Sequence, residues 1–323
     1  MGTNKGIHAE RPRNIPWAGW KEILLRVKDK MNTKNIPLMA AGVAFYFFLS
    51  LFPAMLAIVT IYTLVNDPLL VREHLEKLSQ FLPSDVHEFI SEKIMNIVDG
   101  TESSKNWGLV LSFIVGLGSA NKGTLYLFRA INEIYDEENK RNLIKQNTIT
   151  LGFTLGLLIT GILSMLLIIV YPIIIEFMDL NGPIEHIVTY TRWIVLALIF
   201  LFCIGLIYQF APQRSHPRFN WVSTGAILAT VLWILGSILL TVYIQNFGKM
   251  EDLYGQISAL IILMIWLNIT SFVILLGAQV NAEMEHQTDV DTTQGKDKPI
   301  GERHAYFADH VAAENEKEEA KDK

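Results

Sequence analysis

Long stretches without a charged residue alternate with short charged segments along this chain. A helix needs about 20 apolar residues to cross a hydrocarbon layer about 30 Å thick. Five stretches exceed that length, and a sixth reaches it only by continuing past Lys122. Because lipid offers no partner for backbone polar groups, each stretch predicts a transmembrane helix. The predicted spans are 38–65, 107–128, 147–171, 193–211, 221–245 and 257–281.

Basic residues predict how these spans are threaded. Eight Lys or Arg residues precede the first span, four lie between the second and third, and two lie between the fourth and fifth. The intervening connections hold one basic residue each, or four diluted by acidic residues in the long first loop. Basic loops stay on the cytoplasmic side of a membrane. The sequence therefore predicts an all-α, polytopic bundle of six transmembrane helices with both termini in the cytoplasm.

Three segments outside the spans have their own patterns. Residues 1–34 are basic and contain an amphipathic helix, which either lies on the inner leaflet or packs on the bundle. The outer loop 67–105 has apolar residues at helical spacing and predicts amphipathic helices that cover the bundle, rest on the outer leaflet or simply pack. From Glu283 onward, twelve acidic residues stand against six basic ones, so residues 284–323 are predicted to form a disordered tail.

Composition narrows the classes of function. Of 323 residues, 51% are hydrophobic and only 18% are charged, against about 25% charged in ordinary soluble domains. A single cysteine excludes a disulfide framework, and a net charge of −5 argues against a nucleic-acid partner. No catalytic motif and no cluster with zinc-ligand spacing is present in the sequence. We therefore expect no enzyme, no cofactor and no metal site.

The segment 116–123, GLGSANKG, is the most informative polar interruption of a span. Its three glycines weaken a helix, and broken helices often line transporter sites. Asn121 and Lys122 are therefore candidate residues of a substrate pathway. Lys122 either extends to the inner interface or faces a cavity that receives an anion, such as a lipid phosphate.

Other polar residues within or beside the spans are weaker candidates. Ser50, near Pro53 and the midplane, either contributes to a site or bonds its own backbone. Asn268 either joins two helices or lines a cavity. Gln279 and Glu283 end the last span and are candidate inner-gate residues that meet Arg129 or Arg141, or else act as interfacial anchors. Small residues four apart in the third span, from Gly152 to Ser164, fit close helix packing within the chain or in a homo-oligomer.

Three blocks in the right order resemble the YihY/BrkB family of bacterial inner-membrane proteins. They are Ala40–Ile58, Ser119–Asn142 and the C-terminal region from Tyr254-Gly255 to Leu275–Glu283. In the second block, the family's recurring positions hold Gly123, Arg129, Asn132, Tyr135 and Arg141. Two positions depart from the pattern, since Lys122 stands where arginine is expected and Gln279 where an acid is expected. The resemblance covers about 35–283.

The resemblance implies a six-span protein of the bacterial cytoplasmic membrane and adds Arg129, Asn132 and Tyr254 to the pathway candidates. An old label for this family is ribonuclease BN. The sequence contains no carboxylate cluster that could bind the metal ions of a nuclease, so it argues against that activity. A translocator of an amphipathic or anionic envelope substrate, such as phospholipid, is the leading hypothesis, with membrane lipids as partners. The alternative is a non-transporting scaffold in envelope maintenance.

Overall fold

Seven long helices and one short helix make up most of the chain that the structure describes. The computed structural model describes residues 5–65, 102–138, 141–177, 183–247, 255 and 257–312. Within these ranges the segments between helices are turns and irregular loops, with one antiparallel bridge between Pro217 and Thr293. The helices are α1 (Trp17–Thr33), α2 (Ile36–Val65), α3 (Glu102–Ile134), α4 (Leu143–Phe177), α5 (Pro183–Phe210), α6 (Phe219–Phe247), α7 (Ile257–Gln287) and α8 (Tyr306–Asp309).

Each of the six predicted spans coincides with one of the helices α2 to α7, although the span 193–211 extends one residue past the end of α5. Among the described residues, four helical stretches are long and apolar enough to cross a membrane, in α4, α5, α6 and α7. A fifth results if α1 and the first part of α2, which meet at 63°, count together as one broken span. The chain is therefore an all-helical integral membrane protein. The predicted helices of the loop 67–105 lie outside the described residues.

Helix α7 is the central element of the bundle. It packs against α1, α2, α3 and α6, while α2 and α3 pack along each other. The largest apolar cluster joins side chains from six helices, among them Val43, Leu127, Ile204, Ala226 and Leu275. These residues come from positions more than 200 residues apart, so burial of apolar surface ties the two ends of the chain into one core.

Helices α6 and α7 cross at a pair of glycines. A Cβ atom built on Gly225 would collide with the carbonyl oxygen of Gly277, and one built on Gly277 would collide with the Tyr208 hydroxyl. Only residues without a side chain allow the two backbones to approach this closely. The small-residue stripe of α4 is different: a Cβ at Gly152 or Gly156 would meet no atom within 4 Å. The predicted close packing therefore does not occur at these two glycines within the chain.

The N-terminal helix packs on the bundle. Ile23 and Val27 of α1 are buried with Trp221, Val280 and Met284, so this face of α1 packs on the bundle. The opposite face exposes Leu24 and Leu25.

The prediction of a disordered tail is wrong for residues 288–312. Thr288, Asp291, Thr292 and Arg303 are each at most 4% exposed. Asp291 accepts hydrogen bonds from the backbone N–H groups of Thr293 and Lys298, each at 2.8 Å. Acidic composition was misleading here because these polar groups are satisfied by one another and by the loop before α6. Residues 313–323 of the predicted tail lie outside the described residues.

The first and last described segments of the chain lie at the same end of the bundle. Gln287 donates to the backbone oxygen of Lys5 at 2.9 Å, and the N–H of Asp289 donates to the oxygen of Ile7 at 2.8 Å. Together, residues 5–16, α1 and 288–312 form what we call the cap, and the end they cover is the capped end.

Replacement of Gly225 by alanine should destabilise the bundle. The added methyl group meets the α7 backbone, and overpacking of this kind costs about 1–3 kcal/mol. Gly152→Ala is the matched control, because open space surrounds Gly152 and alanine gains up to about 1 kcal/mol of helix propensity. Denaturant unfolding of the detergent-solubilised protein measures both. Equal stability of the two variants would contradict the proposed glycine crossing.

The folded tail should loosen in acid. Burial alone would raise the pKa of the Asp291 carboxyl, but hydrogen bonds from Thr293 and Lys298 hold that pKa below its ordinary value of 3.8. The ionised carboxylate therefore stabilises the fold above about pH 4, and this stabilisation is lost as the pH falls through the folded pKa.

Hydrogen exchange of residues 288–312, corrected for intrinsic rates, checks this expectation. Asp291→Asn should show low protection already at pH 6, whereas Asp297→Asn, at a side chain 75% exposed, should retain the wild-type pH profile. A tail whose protection in the wild type does not change between pH 6 and pH 2 would contradict the role assigned to Asp291.

Candidate functional site

The last two turns of α7 bury polar and charged side chains on every face. Gln279, Asn281, Glu283 and Glu285 are each 0% exposed. Residues 281–285 and 287 are all buried, and His286 keeps 12% of its side chain exposed. Buried charges are tolerated only when paired and hydrogen-bonded, so their partners define the local structure.

Glu283 joins α7 to α1. One of its carboxylate oxygens accepts a hydrogen bond from Arg26 Nε at 2.8 Å, and the other accepts one from Gln279 Nε2 at 3.0 Å. The Arg26 guanidinium also donates to Gln287 Oε1 at 2.6 Å. The carboxylate is therefore neutralised from the N-terminal helix, 257 residues away in the chain.

Glu285 joins α7 to the loop between α5 and α6. Arg214 forms a two-pronged ion pair with its carboxylate, and both side chains are at most 1% exposed. The guanidinium carbon lies 4.4 Å from the ring centroid of Tyr135. Burial alone would lower the pKa of Arg214, but the adjacent carboxylate raises it above its ordinary value. Arg214 therefore remains charged, and burial raises the pKa of the Tyr135 hydroxyl so that it remains protonated.

Asn132 and Arg141 form hydrogen bonds to the backbone at the C-terminal end of α5. Asn132 Nδ2 donates to the oxygen of Ala211 at 3.1 Å, and its Oδ1 accepts from the N–H of Gln213 at 2.8 Å. Arg141 donates to the oxygens of Phe210 and Pro212, each at 3.3 Å. Burial lowers the pKa of Arg141 from its ordinary value. These two side chains satisfy carbonyl groups that a helix end leaves without partners.

The predicted inner-gate contact is wrong in its pairing. Glu283 meets Arg26 and not Arg129 or Arg141, and Gln279 meets Glu283. Arg141 bonds the end of α5, whereas Arg129 lies on the exposed side of α3. Sequence patterns missed Arg26, Arg214 and Glu285 because their partners are distant in the chain. The only sequence signal of these ion pairs is a carboxylate that follows an apolar run.

Helix α3 is continuous through the glycine-rich segment 116–123, so the predicted helix break is wrong. A Cβ on Gly123 would lie 2.8 Å from the Phe47 ring, so this glycine serves helix packing. Lys122 and Arg129 are both exposed. Seven residues make two helical turns, which places them on one face about 10 Å apart along the axis. Arg129 lies 5.4 Å from the ring of Tyr126, which stacks on Tyr46 of α2.

A polar seam runs between α3 and α4 beside this face. The Thr154 hydroxyl lies 2.8 Å from Thr124 Oγ1 and 3.3 Å from Asn121 Oδ1. Thr150, one turn from Thr154, is also buried and bonds the backbone oxygen of Gln146 at 3.1 Å. Neighbouring hydroxyl groups thus provide interhelical hydrogen bonds within the predicted membrane region.

The remaining predicted site residues are dispersed. Ser50 is buried and donates to the oxygen of Phe47 at 2.7 Å, so its hydroxyl is satisfied within α2. Asn268 is half-buried on α7, near the α6–α7 hydrogen bond from Trp233 to Thr270. No hydrogen bond among the described residues joins Asn268 to Lys122 or Arg129. Tyr254 lies outside the described residues. No group of three or more metal-ligating side chains is found in the described ranges.

The fold and these charged positions define a polytopic, all-helical membrane protein with a buried ionic network at one end. The chain belongs to the Virulence factor BrkB family, whose model matches residues 27–301. It is 28% identical over 249 residues to the ribonuclease-like protein YfkH of Bacillus subtilis, covering 75% of this chain and 88% of that protein. It is 26% identical over 273 residues to a UPF0761 membrane protein of Psychromonas ingrahamii, covering 82% and 88%.

A further UPF0761 membrane protein, from Chlorobium phaeobacteroides, is 26% identical over 270 residues, covering 80% of this chain and 57% of that protein. No solved structure gives a significant match. The comparisons confirm the predicted family.

Removal of the Arg214 charge should be among the most damaging single changes at the capped end. Arg214→Gln leaves the Glu285 carboxylate buried without its countercharge, which typically costs about 3–5 kcal/mol. Asp297→Asn is the control, since its ion pair with Arg218 is largely exposed and worth less than about 1 kcal/mol. Denaturant unfolding in detergent compares the two. Similar losses for both variants would show that Glu285 is not desolvated as described.

Proposed function

We propose that this protein translocates an amphipathic, anionic envelope substrate, with phospholipid as the leading candidate. The observation that carries the proposal is the exposed pair Lys122 and Arg129 on one face of α3. A lysine facing hydrocarbon near the middle of a span costs about 2.5–3.5 kcal/mol. That cost is avoided if Lys122 lies beside water, or beside the phosphate of a lipid.

The proposed topology is six spans with both termini in the cytoplasm, in the bacterial cytoplasmic membrane. The meeting of both chain ends at the capped end supports an even number of spans. That end also carries the basic residues of the N-terminal segment and of the connections after α3 and α5. The positive-inside rule then assigns the capped end to the cytoplasm.

The proposed mechanism keeps the acyl chains of the substrate in the bilayer while the headgroup follows the face of α3. Lys122 lies about 18 Å from the end of α3 at Ile134, and Arg129 about 8 Å from it. A phosphate can therefore exchange from one cation to the other in a single step of about 10 Å. The polar seam at Asn121, Thr124 and Thr154 would provide hydrogen bonds to a hydrated headgroup when α3 and α4 separate.

The alternative function is a scaffold that moves nothing. The apolar cluster of α2, α3, α5, α6 and α7 favours it, because residues such as Phe128, Ile131 and Leu275 are at most 1% exposed and pack the bundle near the capped end. If the protein is a translocator, this packing means that no path is open through the centre of the bundle in the state described by the structure. The headgroup route proposed here runs along the outside of α3 and does not need that core to open.

No catalytic activity is part of this proposal. The name of YfkH describes that relative, and we do not extend it to this chain. Lys122 and Arg129 lie on an exposed helix face, where they can attract an anion without performing chemistry on it.

Loss of either cation should slow lipid movement. Each charge is worth about 1 kcal/mol toward an anionic headgroup, so Lys122→Gln and Arg129→Gln should each reduce the transfer rate about fivefold. Purified protein in vesicles containing fluorescent phosphatidylglycerol, with reduction of the dye in one leaflet, measures the rate. Lys145→Gln removes an exposed charge at the start of α4 and should leave the rate unchanged. Absence of transfer by the wild type would favour the scaffold.

A further inference from the structure

A small cavity lies at the capped end, on the outside of the bundle where α6 begins. It is lined by Arg11, Pro12, Arg13, Asn220 and Thr224 and has a volume of about 180 Å³. Because one water molecule occupies about 30 Å³ in the liquid, a cavity of this size has room for a phosphate group. It is separate from the Lys122–Arg129 face, which lies on α3.

The two arginines of this cavity differ from the other arginines of the capped end. Among the described residues, neither Arg11 nor Arg13 makes a side-chain hydrogen bond or ion pair, and both are exposed. In contrast, nearby arginines are held by carboxylate or carbonyl oxygens; these are Arg26, Arg141, Arg214, Arg218 and Arg303. The cavity thus combines two free guanidinium groups with two neutral side chains, and its lining contains no carboxylate.

We propose that this cavity binds the phosphate group of an anionic phospholipid in the leaflet at the capped end. Guanidinium groups suit phosphate because their planar donors can engage two oxygens at once. Asn220 and Thr224 supply further hydrogen bonds, and they lie on one face of α6 because they are four residues apart.

The position of the cavity favours a lipid over a free phosphate ion. Asn220 directly precedes the predicted span 221–245, so the cavity lies where the hydrocarbon layer begins. Phe219 is 68% exposed and Trp17, at the start of α1, is 77% exposed. Aromatic side chains are enriched at this depth of a membrane. A headgroup bound by the arginines would leave its acyl chains beside the apolar surface of α6.

This site does not require transport, and the inference holds even if the protein moves no lipid. Binding can therefore be tested separately, with purified full-length protein in a neutral detergent. The measurement is the rise in unfolding temperature on titration with short-chain phosphatidylglycerol, with phosphatidylcholine and inorganic phosphate as parallel titrations. We expect saturable stabilisation by phosphatidylglycerol and little or none by the other two.

Two variants locate the site. The double variant Arg11→Gln, Arg13→Gln should weaken the apparent affinity for phosphatidylglycerol by about tenfold or more. Asn220→Asp leaves both arginines in place but adds a carboxylate to the cavity, and it should weaken binding similarly. An acidic residue in the first turn of a helix is favourable, so this variant is expected to fold.

The matched control is the double variant Lys21→Gln, Lys28→Gln, which removes the same charge from exposed positions of α1 and should change the affinity less than twofold. Equal weakening in the control would overturn the proposal in favour of diffuse attraction to the basic segment. Stabilisation by inorganic phosphate equal to that by phosphatidylglycerol would overturn the assignment to lipid. Unchanged binding by Asn220→Asp would exclude the cavity as the site.

Discussion

The capped end of this protein depends on neutralising two carboxylates that are fully buried at the end of α7. Glu283 and Glu285 have no exposed surface, and an unpaired charge in such a place costs several kcal/mol. Arg26 from α1 and Arg214 from the connection after α5 provide the countercharges. These pairs require α1 to lie across the bundle and the loop before α6 to fold inward. The cap therefore follows from electrostatics as much as from burial of apolar surface.

Long-range pairing also sets the limit of what local sequence patterns predict. Continuous apolar runs located the six helices α2 to α7, because the requirement for internal hydrogen bonding in lipid acts on each run separately. The Arg26–Glu283 contact has no such local signature. Gly123 illustrates the same limit, since a glycine that weakens an isolated helix here allows Phe47 to pack. The prediction of a disordered tail was wrong for residues 288–312 for a different reason. Their composition is that of a disordered segment, yet their polar groups form hydrogen bonds with one another.

Some residues of the candidate functional site could be predicted from the sequence. Lys122 stood out because charge within an apolar run is costly. Arg129 was identified as a possible partner for the end of the last span and through family resemblance. Both are exposed in the structure. Asn132 was identified only through family resemblance, whereas Arg141 was also expected to meet Gln279 or Glu283. Both side chains hydrogen-bond to the end of α5. Buried and exposed charges therefore have different roles. The buried ion pairs stabilise the capped end, whereas the exposed cations remain available to an anion. This distinction is the basis of the functional proposal.

The central claim is that the Lys122 position lies beside water within the membrane region. Cysteine at position 122, in a Cys203→Ser background and in sealed vesicles, can be treated with a membrane-impermeant charged thiol reagent. We expect modification of the Lys122→Cys variant and no modification of an Ile159→Cys variant, since Ile159 is an exposed apolar position of α4. Equal resistance of both positions, with labelling only by a lipid-soluble reagent, would show that α3 presents Lys122 to hydrocarbon and would contradict the proposed headgroup route.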